Sequence, residues 1–216
     1  FKYYNVNGKA ASAEGVDVSD YNGTIDWKKV KDSGIDFAMI RIGGRGYGTE
    51  GTLYQDENAI KNITEAKDNG IKVGVYFFSQ AINTDEAIEE ANYVKDILGD
   101  IKLDYPVAYD WEIVKDDDAR TDNVSAYEAT ECARAFCQTV ESNGYTASIY
   151  SPSRGLYFEY DLSRLKDYDI WYCEYSDTPE FYYQFSMWQY TTAGKVDGID
   201  GEVDLNICFT GIADYA

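Results

Sequence analysis

Histidine is absent from the 216 residues. That excludes Ser-His-Asp and Cys-His machinery, His-liganded zinc and imidazole acid–base chemistry. Cationic side chains are scarce: 19 Lys and Arg stand against 39 Asp and Glu, a formal net charge of −20. Phosphate contacts need clustered Lys and Arg, so nucleic acid is excluded as a partner. No apolar run reaches 18 residues, so no membrane-spanning helix and no membrane partner is expected. The opening Phe1-Lys2-Tyr3-Tyr4-Asn5 lacks the apolar stretch and the cleavage site of a signal peptide. Cysteine is limited to four residues. Cys132 and Cys137 share one predicted helix at a spacing that holds their Cα atoms about 8 Å apart, beyond disulfide reach. Cys173 and Cys208 fall on separate predicted strands, where they could meet. No CxxC pair occurs, and neither a metal site nor a cofactor is expected.

With 44% hydrophobic and 16% aromatic residues, the chain has the material for a folded core despite its charge. Its length fits one domain. Apolar strand-like runs alternate with helix-periodic segments that end at glycine. Asp26 to Ser33 reads as a short helix ended by Gly34, followed by the strand Phe37 to Ile42. A second helix, Asp56 to Asn69, stops at Gly70 before the strand Val73 to Phe78, and a third, capped by Thr84, ends at Gly99. Pro106 to Glu112 is the next strand. Ser125 and Glu128 then form a capping box for a helix to about Ser142, closed by Asn143-Gly144 and followed by the strand Ala147 to Tyr150. Glycine just past a helix supplies the left-handed residue that such ends require. This alternation predicts βαβ units and a parallel sheet.

After residue 153 the rhythm changes. Ile170 to Tyr175 and Ser186 to Thr191 are strand-like with little helical spacing between them, and turn dipeptides at Asp197-Gly198 and Asp200-Gly201 precede a closing strand from Val203 to Ile207. About eight strands and four or five helices indicate an α/β class and a closed, TIM-like barrel whose last third has lost its helices.

With the strand at Val16-Asp17-Val18-Ser19 counted as the first, Asp110 and Glu112 flank Trp111 near the end of the fourth. Residues i and i+2 share a strand face, roughly 6.6 Å apart at Cα. Two acids on one inward face raise each other's pKa, and burial raises both, which yields one protonated and one ionised carboxyl near neutral pH. In such barrels catalytic groups lie at strand C-terminal ends. Asp17 in the first strand and Asp204 in the last are expected at the same mouth, because the first and last strands of a closed barrel are neighbours. Tyr76, Tyr150, Trp171, Tyr175, Trp188 and Tyr190 lie on or just after strands, where flat rings can stack on sugar faces and polar edges can bond hydroxyls. The triplet Asp116-Asp117-Asp118 lacks the glycine and twelfth-position Glu of a calcium loop, and Gly43-Gly44-Arg45-Gly46 is not followed by the Lys-Ser/Thr of a phosphate loop.

The ordered set Gly15-Val16-Asp17-Val18-Ser19 with Trp27, Phe37-Ala38-Met39-Ile40-Arg41, Gly74-Val75-Tyr76-Phe77-Phe78, Asp110-Trp111-Glu112, Trp171 with Tyr175, Trp188-Gln189-Tyr190 and Val203-Asp204-Leu205-Asn206 resembles glycoside hydrolase family 25, the lysozymes that act as N-acetylmuramidases. The resemblance implies a single-domain, irregular (β/α)5β3 barrel over residues 14–216, with residues 1–13 as an N-terminal extension. It implies cleavage of the β-1,4 bond between N-acetylmuramic acid and N-acetylglucosamine in peptidoglycan, by a monomer acting outside the cell or in the wall. By position it makes Glu112 the general acid/base, with Asp110, Asp17 and Asp204 in support, and gives Arg41 and the six aromatic residues above to the substrate. One departure is Phe77, where many members place His; the expected consequence is an altered sugar contact or an altered pH profile, with the chemistry retained. The competing class is a non-catalytic glycan-binding module on the same barrel, which would keep the aromatics and lose the acids. Family 18 chitinases want acids four and seven residues before the Glu, where this chain has Ala108 and Tyr105.

Overall fold

Strands that are apolar on both faces need cover on both, and the chain supplies it by closing its sheet and wrapping the outside with helices. The computed structural model describes residues 1–114 and 118–209. A small hairpin, β1 (Asn5–Val6) and β2 (Lys9–Ala10), precedes β3 (Ser12–Val18). Then follow α1 (Trp27–Asp32), β4 (Phe37–Arg45), a short edge strand β5 (Leu53–Gln55), α2 (Ala59–Asp68), β6 (Lys72–Ser79), α3 (Thr84–Leu98), β7 (Val107–Trp111), α4 (Ala126–Ser142), β8 (Ala147–Pro152) and α5 (Ser153–Phe158). The last strands are β9 (Asp169–Cys173), β10 (Met187–Gly194) and β11 (Val203–Phe209).

Five strand–helix units and three terminal strands make the (β/α)5β3 barrel. The strands run in the order β3-β11-β10-β9-β8-β7-β6-β4, and a parallel β3–β4 pairing closes the ring. Seven strands point the same way; β11 is antiparallel to both neighbours. Among the described residues no helix is long and apolar enough to cross a membrane.

Alternation assigns each residue its side. Phe37, Met39, Ala108, Trp171, Cys173 and Met187 fill the barrel interior. Val73, Val75, Phe77, Tyr109 and Trp111 face outward into the layer beneath the helices. Gly15 is glycine because a Cβ there would meet the Phe37 ring at 2.3 Å. The predicted helix stops Gly34, Gly70, Gly99 and Gly144 all have positive φ. The capping box at Ser125 and Glu128 is formed.

Several local readings need correction. The cap of α3 is Asn83, whose side chain accepts from Glu86 N at 3.0 Å, so Thr84 is the first helical residue. Helix α5 carries too little periodicity to be visible in the sequence. Asp56 does not start α2; it turns inward to Arg41. Cys173 and Cys208 do not meet, because β10 runs between their strands and places Cys173 beside Gln189 and Cys208 beside Met187. All four cysteines are free thiols. Asp116 and Asp117 lie outside the described residues. At the other end of the chain, Tyr4 packs edge-on to Phe209, and Lys2 lies over the rings of Trp188 and Tyr190.

Candidate active site

The C-terminal ends of the parallel strands open onto an acidic cleft of about 150 Å³ lined by Asp17, Tyr76, Asp110, Glu112, Tyr150, Trp171, Tyr175, Gln189 and Asp204. Asp110 reaches it from the last inward position of β7 and Glu112 from just past the strand's end, which falls one residue short of the predicted one, while Trp111 between them turns outward and donates its indole N–H to Ala81 O at 3.1 Å. Asp17 nears the end of β3, and Asp204 opens β11. Because β11 runs the opposite way, the start of this strand lies at the same mouth, with Asp204 paired directly across from Asp17. Four carboxyl groups thus converge, and no cation lines the cleft among the described residues.

The acids form two pairs with different surroundings. Burial, the charge of Glu112 and then that of Asp17 push Asp110 well above the carboxylate range. Its Oδ1 is buried without a hydrogen-bond partner. Burial and the neighbouring Asp204 raise Asp17 to about 8, against two amide donors that favour its charged form. Those donors are Asn206 Nδ2 at 2.7 Å and Gln189 Nε2 at 2.9 Å, both on Asp17 Oδ2. The orientation of the Asn206 amide is fixed. The Trp171 indole can only donate, and it donates to Asn206 Oδ1 at 2.8 Å, which turns Nδ2 toward Asp17. The Tyr150 and Tyr175 hydroxyls donate to Gln189 Oε1 at 2.9 and 3.2 Å. With Oδ2 accepting twice, a proton on Asp17 sits on Oδ1, on the side of Asp204.

Of the other residues singled out in the sequence, Tyr76, Tyr150, Trp171 and Tyr175 line the cleft. Trp171 is the hub of the aromatic wall, edge-on to Tyr76 at 6.0 Å and to Tyr150 at 4.7 Å. Arg41 is brought near but does not line it: Asp56 Oδ2 takes its Nε at 2.9 Å, Asp20 takes its Nη2, and Tyr21 covers its guanidinium. Trp188 and Tyr190 are not brought to the cleft. In β10 they alternate with Met187 and Gln189, so they face outward, where the Trp188 indole donates to Glu174 O and the Tyr190 hydroxyl to buried Glu14. The residue of that triplet that does reach the cleft is Gln189. Phe77 also faces outward, packed on Phe136 of α4, so its side chain makes no sugar contact.

Sequence reasoning passed over Gln189, Asn206 and Gln80. The first two stand inside recognised motifs, and counting by two from Met187 and from Asp204 would have turned both inward. Gln80 gave no such signal. It is fully buried just after β6, donates to Ser79 O at 3.0 Å and to Glu112 O at 2.8 Å, and accepts from the Thr121 hydroxyl at 2.9 Å. One amide therefore ties Glu112 to Thr121.

Comparison with known proteins agrees with this geometry. The family model described as Glycosyl hydrolases family 25 matches residues 16–199. An autolytic lysozyme of Clostridium acetobutylicum is 26% identical over 200 residues, covering 92% of this chain and 56% of that protein. Lysozyme M1 of Streptomyces globisporus is 27% identical over 208 residues, covering 91% and 67%. The modular autolysin LytC of Streptococcus pneumoniae, solved in complex with a synthetic peptidoglycan ligand, superposes with a TM-score of 0.76 at 27% identity over 95% of this chain and 51% of that one. The chain thus spans little more than half the length of two of these relatives. A match over most of the chain, together with a barrel of the expected topology, places it: this chain belongs to glycosyl hydrolase family 25.

Proposed function

We propose that the chain is a peptidoglycan hydrolase that cleaves the β-1,4 bond from N-acetylmuramic acid to N-acetylglucosamine, with retention of configuration and with the substrate's 2-acetamido group as nucleophile. The observation that carries this reading is the Asp110–Glu112 pair on one strand face, with Asp110 Oδ1 buried and unbonded. Two-carboxylate retention needs groups about 5–5.5 Å apart flanking the bond, and inversion needs about 6.5–9.5 Å with water between. Neighbours on one strand approach from a single side and suit neither arrangement. Substrate assistance needs only one acid and one acceptor, side by side.

In this mechanism the acetamido N–H donates to Asp110 Oδ1. That bond favours ionised Asp110 and moves the pair's proton to Glu112, beside the glycosidic oxygen. Glu112 protonates the leaving oxygen as the acetamido carbonyl attacks the anomeric carbon, and ionised Asp110 balances the oxazolinium-like charge. Glu112 then takes a proton from water, which opens the ring from the same face. Asp17, held by the Asn206 and Gln189 amides, and Asp204 beside it shape the polar floor, while Tyr76, Tyr150, Trp171 and Tyr175 bound the sugar. Lysozyme and autolysin relatives accord with action outside the cell or in the wall.

The test is digestion of purified peptidoglycan, borohydride reduction, and mass spectrometry of the new ends, with proton NMR of the first product anomer. Muramitol ends and an initial β anomer are expected. Glucosaminitol ends would overturn the bond assignment, an initial α anomer the retention, and sugar binding without new reducing ends the enzymatic reading itself.

A further inference from the structure

The cleft of about 150 Å³ is smaller than the roughly 300–1,000 Å³ of ordinary ligand sites. A polymer seated there has to be gripped beyond it. A net charge of −20 offers no electrostatic grip on an anionic wall. The rim beside the cleft carries something else. Helix α5 leaves the mouth end of β8, and the segment 174–186 leaves the mouth end of β9. Between them they expose Phe158, Tyr182 and Tyr183, at 76%, 87% and 54%.

Isolated exposed aromatics are ordinary, but these belong to a braced cluster. The Tyr157 hydroxyl accepts from Tyr182 N at 3.1 Å. Tyr157 packs edge-on to Phe181 at 5.3 Å, Tyr183 to Phe181 at 5.6 Å, and Tyr182 to Tyr183 at 5.5 Å. Phe181 in turn stacks on Tyr172 of β9 at 4.9 Å. The rings are therefore held in place before any ligand arrives, which limits the entropy lost on binding. The segment that carries Tyr182 and Tyr183 begins at the cleft, with Tyr175, whose hydroxyl bonds Gln189.

We propose that Tyr157, Tyr182 and Tyr183 form an accessory saccharide-binding shelf, which takes uncharged N-acetylhexosamine rings of a glycan strand by stacking and holds the polymer while the cleft acts. This rests on the proposed function for the identity of the polymer. The class of ligand follows from the surface: flat, rigid faces with phenolic edges match the apolar C–H faces and hydroxyls of a pyranose. Of the charges nearby, Arg154 is paired with Glu159 and Lys2 with Asp177, and stacking on an uncharged sugar does not depend on ionic strength.

The experiment uses the inactive Glu112→Gln protein, with and without Tyr182→Ala and Tyr183→Ala together, and two probes: purified insoluble peptidoglycan and soluble chitohexaose. Expected are about tenfold weaker binding of both probes by the shelf variant, binding of the uncharged chitohexaose by the parent that is flat between 50 and 500 mM NaCl, and, in the active background, loss of turnover on peptidoglycan with a tetrasaccharide cleaved at the parent rate. Tyr182→Ala alone removes a ring that is mostly in solvent and is expected to show a smaller loss in the same direction. Equal binding by parent and variants would overturn the shelf, as would equal losses on polymer and tetrasaccharide, or binding of chitohexaose by the parent that follows salt. Failure of the proposed function reads differently: the active protein would release no reducing ends from any glycan, whatever the shelf variants bind.

Discussion

Asn206→Leu is the sharpest test of the electrostatic design of the cleft. The amide is fully buried and joins an indole that can only donate to a carboxyl group that titrates. Leucine removes one hydrogen bond to Asp17 and leaves the Trp171 N–H without a partner. An orphaned buried donor costs about 1–3 kcal/mol, a lost neutral hydrogen bond about 1 and a bond to a charged group about 1.5–3. At pH 6, below the Asp17 value of about 8, Asp17 is protonated and the loss comes to about 3 kcal/mol, or about 6–12 °C of Tm at 2–4 °C per kcal/mol. At pH 9.5 the carboxylate is ionised and the loss grows by about 1–2 kcal/mol. The sign agrees with linkage: deleting a donor that lowers the Asp17 pKa moves it further up, and a carboxyl raised in the folded state destabilises progressively as pH climbs through it. Urea unfolding at the two pH values measures the difference. Repeating it in a Trp171→Phe background removes the orphan and leaves only the Asp17 bond. An equal loss at pH 6 and pH 9.5, or an undiminished loss with Phe at 171, would refute the reasoning.

Glu112→Gln is expected to lower turnover by about 10²–10⁴-fold with unfolding unchanged, and Asp110→Asn to lower it less; more than about a tenth of the parent rate in the former would remove Glu112 as the acid. Burial raises Glu14 and Glu90 to about 7, and burial with Asp204 raises Asp17 to about 8, so the folded chain binds more protons than the unfolded chain between about pH 4 and 8. Stability is therefore expected to fall from pH 5 to pH 8, and a rising Tm over that interval in calorimetry would contradict these assignments. Gln80→Leu frees the Glu112 carbonyl and the Thr121 hydroxyl, with about a 10–100-fold loss in kcat expected; an unchanged kcat would show that the clamp does not position the acid. Activity on whole walls is expected to rise between 20 and 150 mM NaCl as repulsion from the −20 chain is screened, and flat or falling activity would argue against repulsion as a limit.

The framework was readable because each of its signals is local. Glycine after a helix, Ser125 with Glu128, and alternation along Val107 to Trp111 all act within a few residues, and they gave the barrel, its loss of late helices and the inward pair Asp110 and Glu112. Readings that failed depended on contacts distant in sequence. Trp188 and Tyr190 look like sugar platforms until the register of β10 turns them outward and Gln189 inward. Phe77 reads as a cleft residue until α4 covers it. The direction of β11, which sets Asp204 opposite Asp17, was by contrast signalled by the hairpin-type dipeptides Asp197-Gly198 and Asp200-Gly201 before it. The clamp of Gln80 on Glu112 and Thr121 spans 32 and 41 residues and leaves no pattern in the chain.

The antiparallel return of β11 also bears on how the molecule comes into being. Asp17 and the amide that orients it are 189 residues apart in sequence, and the bond between them forms across the seam that closes the ring. Contacts of such separation bear the full entropy of loop closure before they give anything back, and they come late in folding. The polar floor of the cleft is thus made by the last event of assembly. A chain with its first seven barrel strands paired would hold Asp110 and Glu112 at the end of β7 yet lack Asn206 and Asp204, the β11 partners of Asp17, and catalytic competence is expected to appear in one step with ring closure rather than to grow with the sheet.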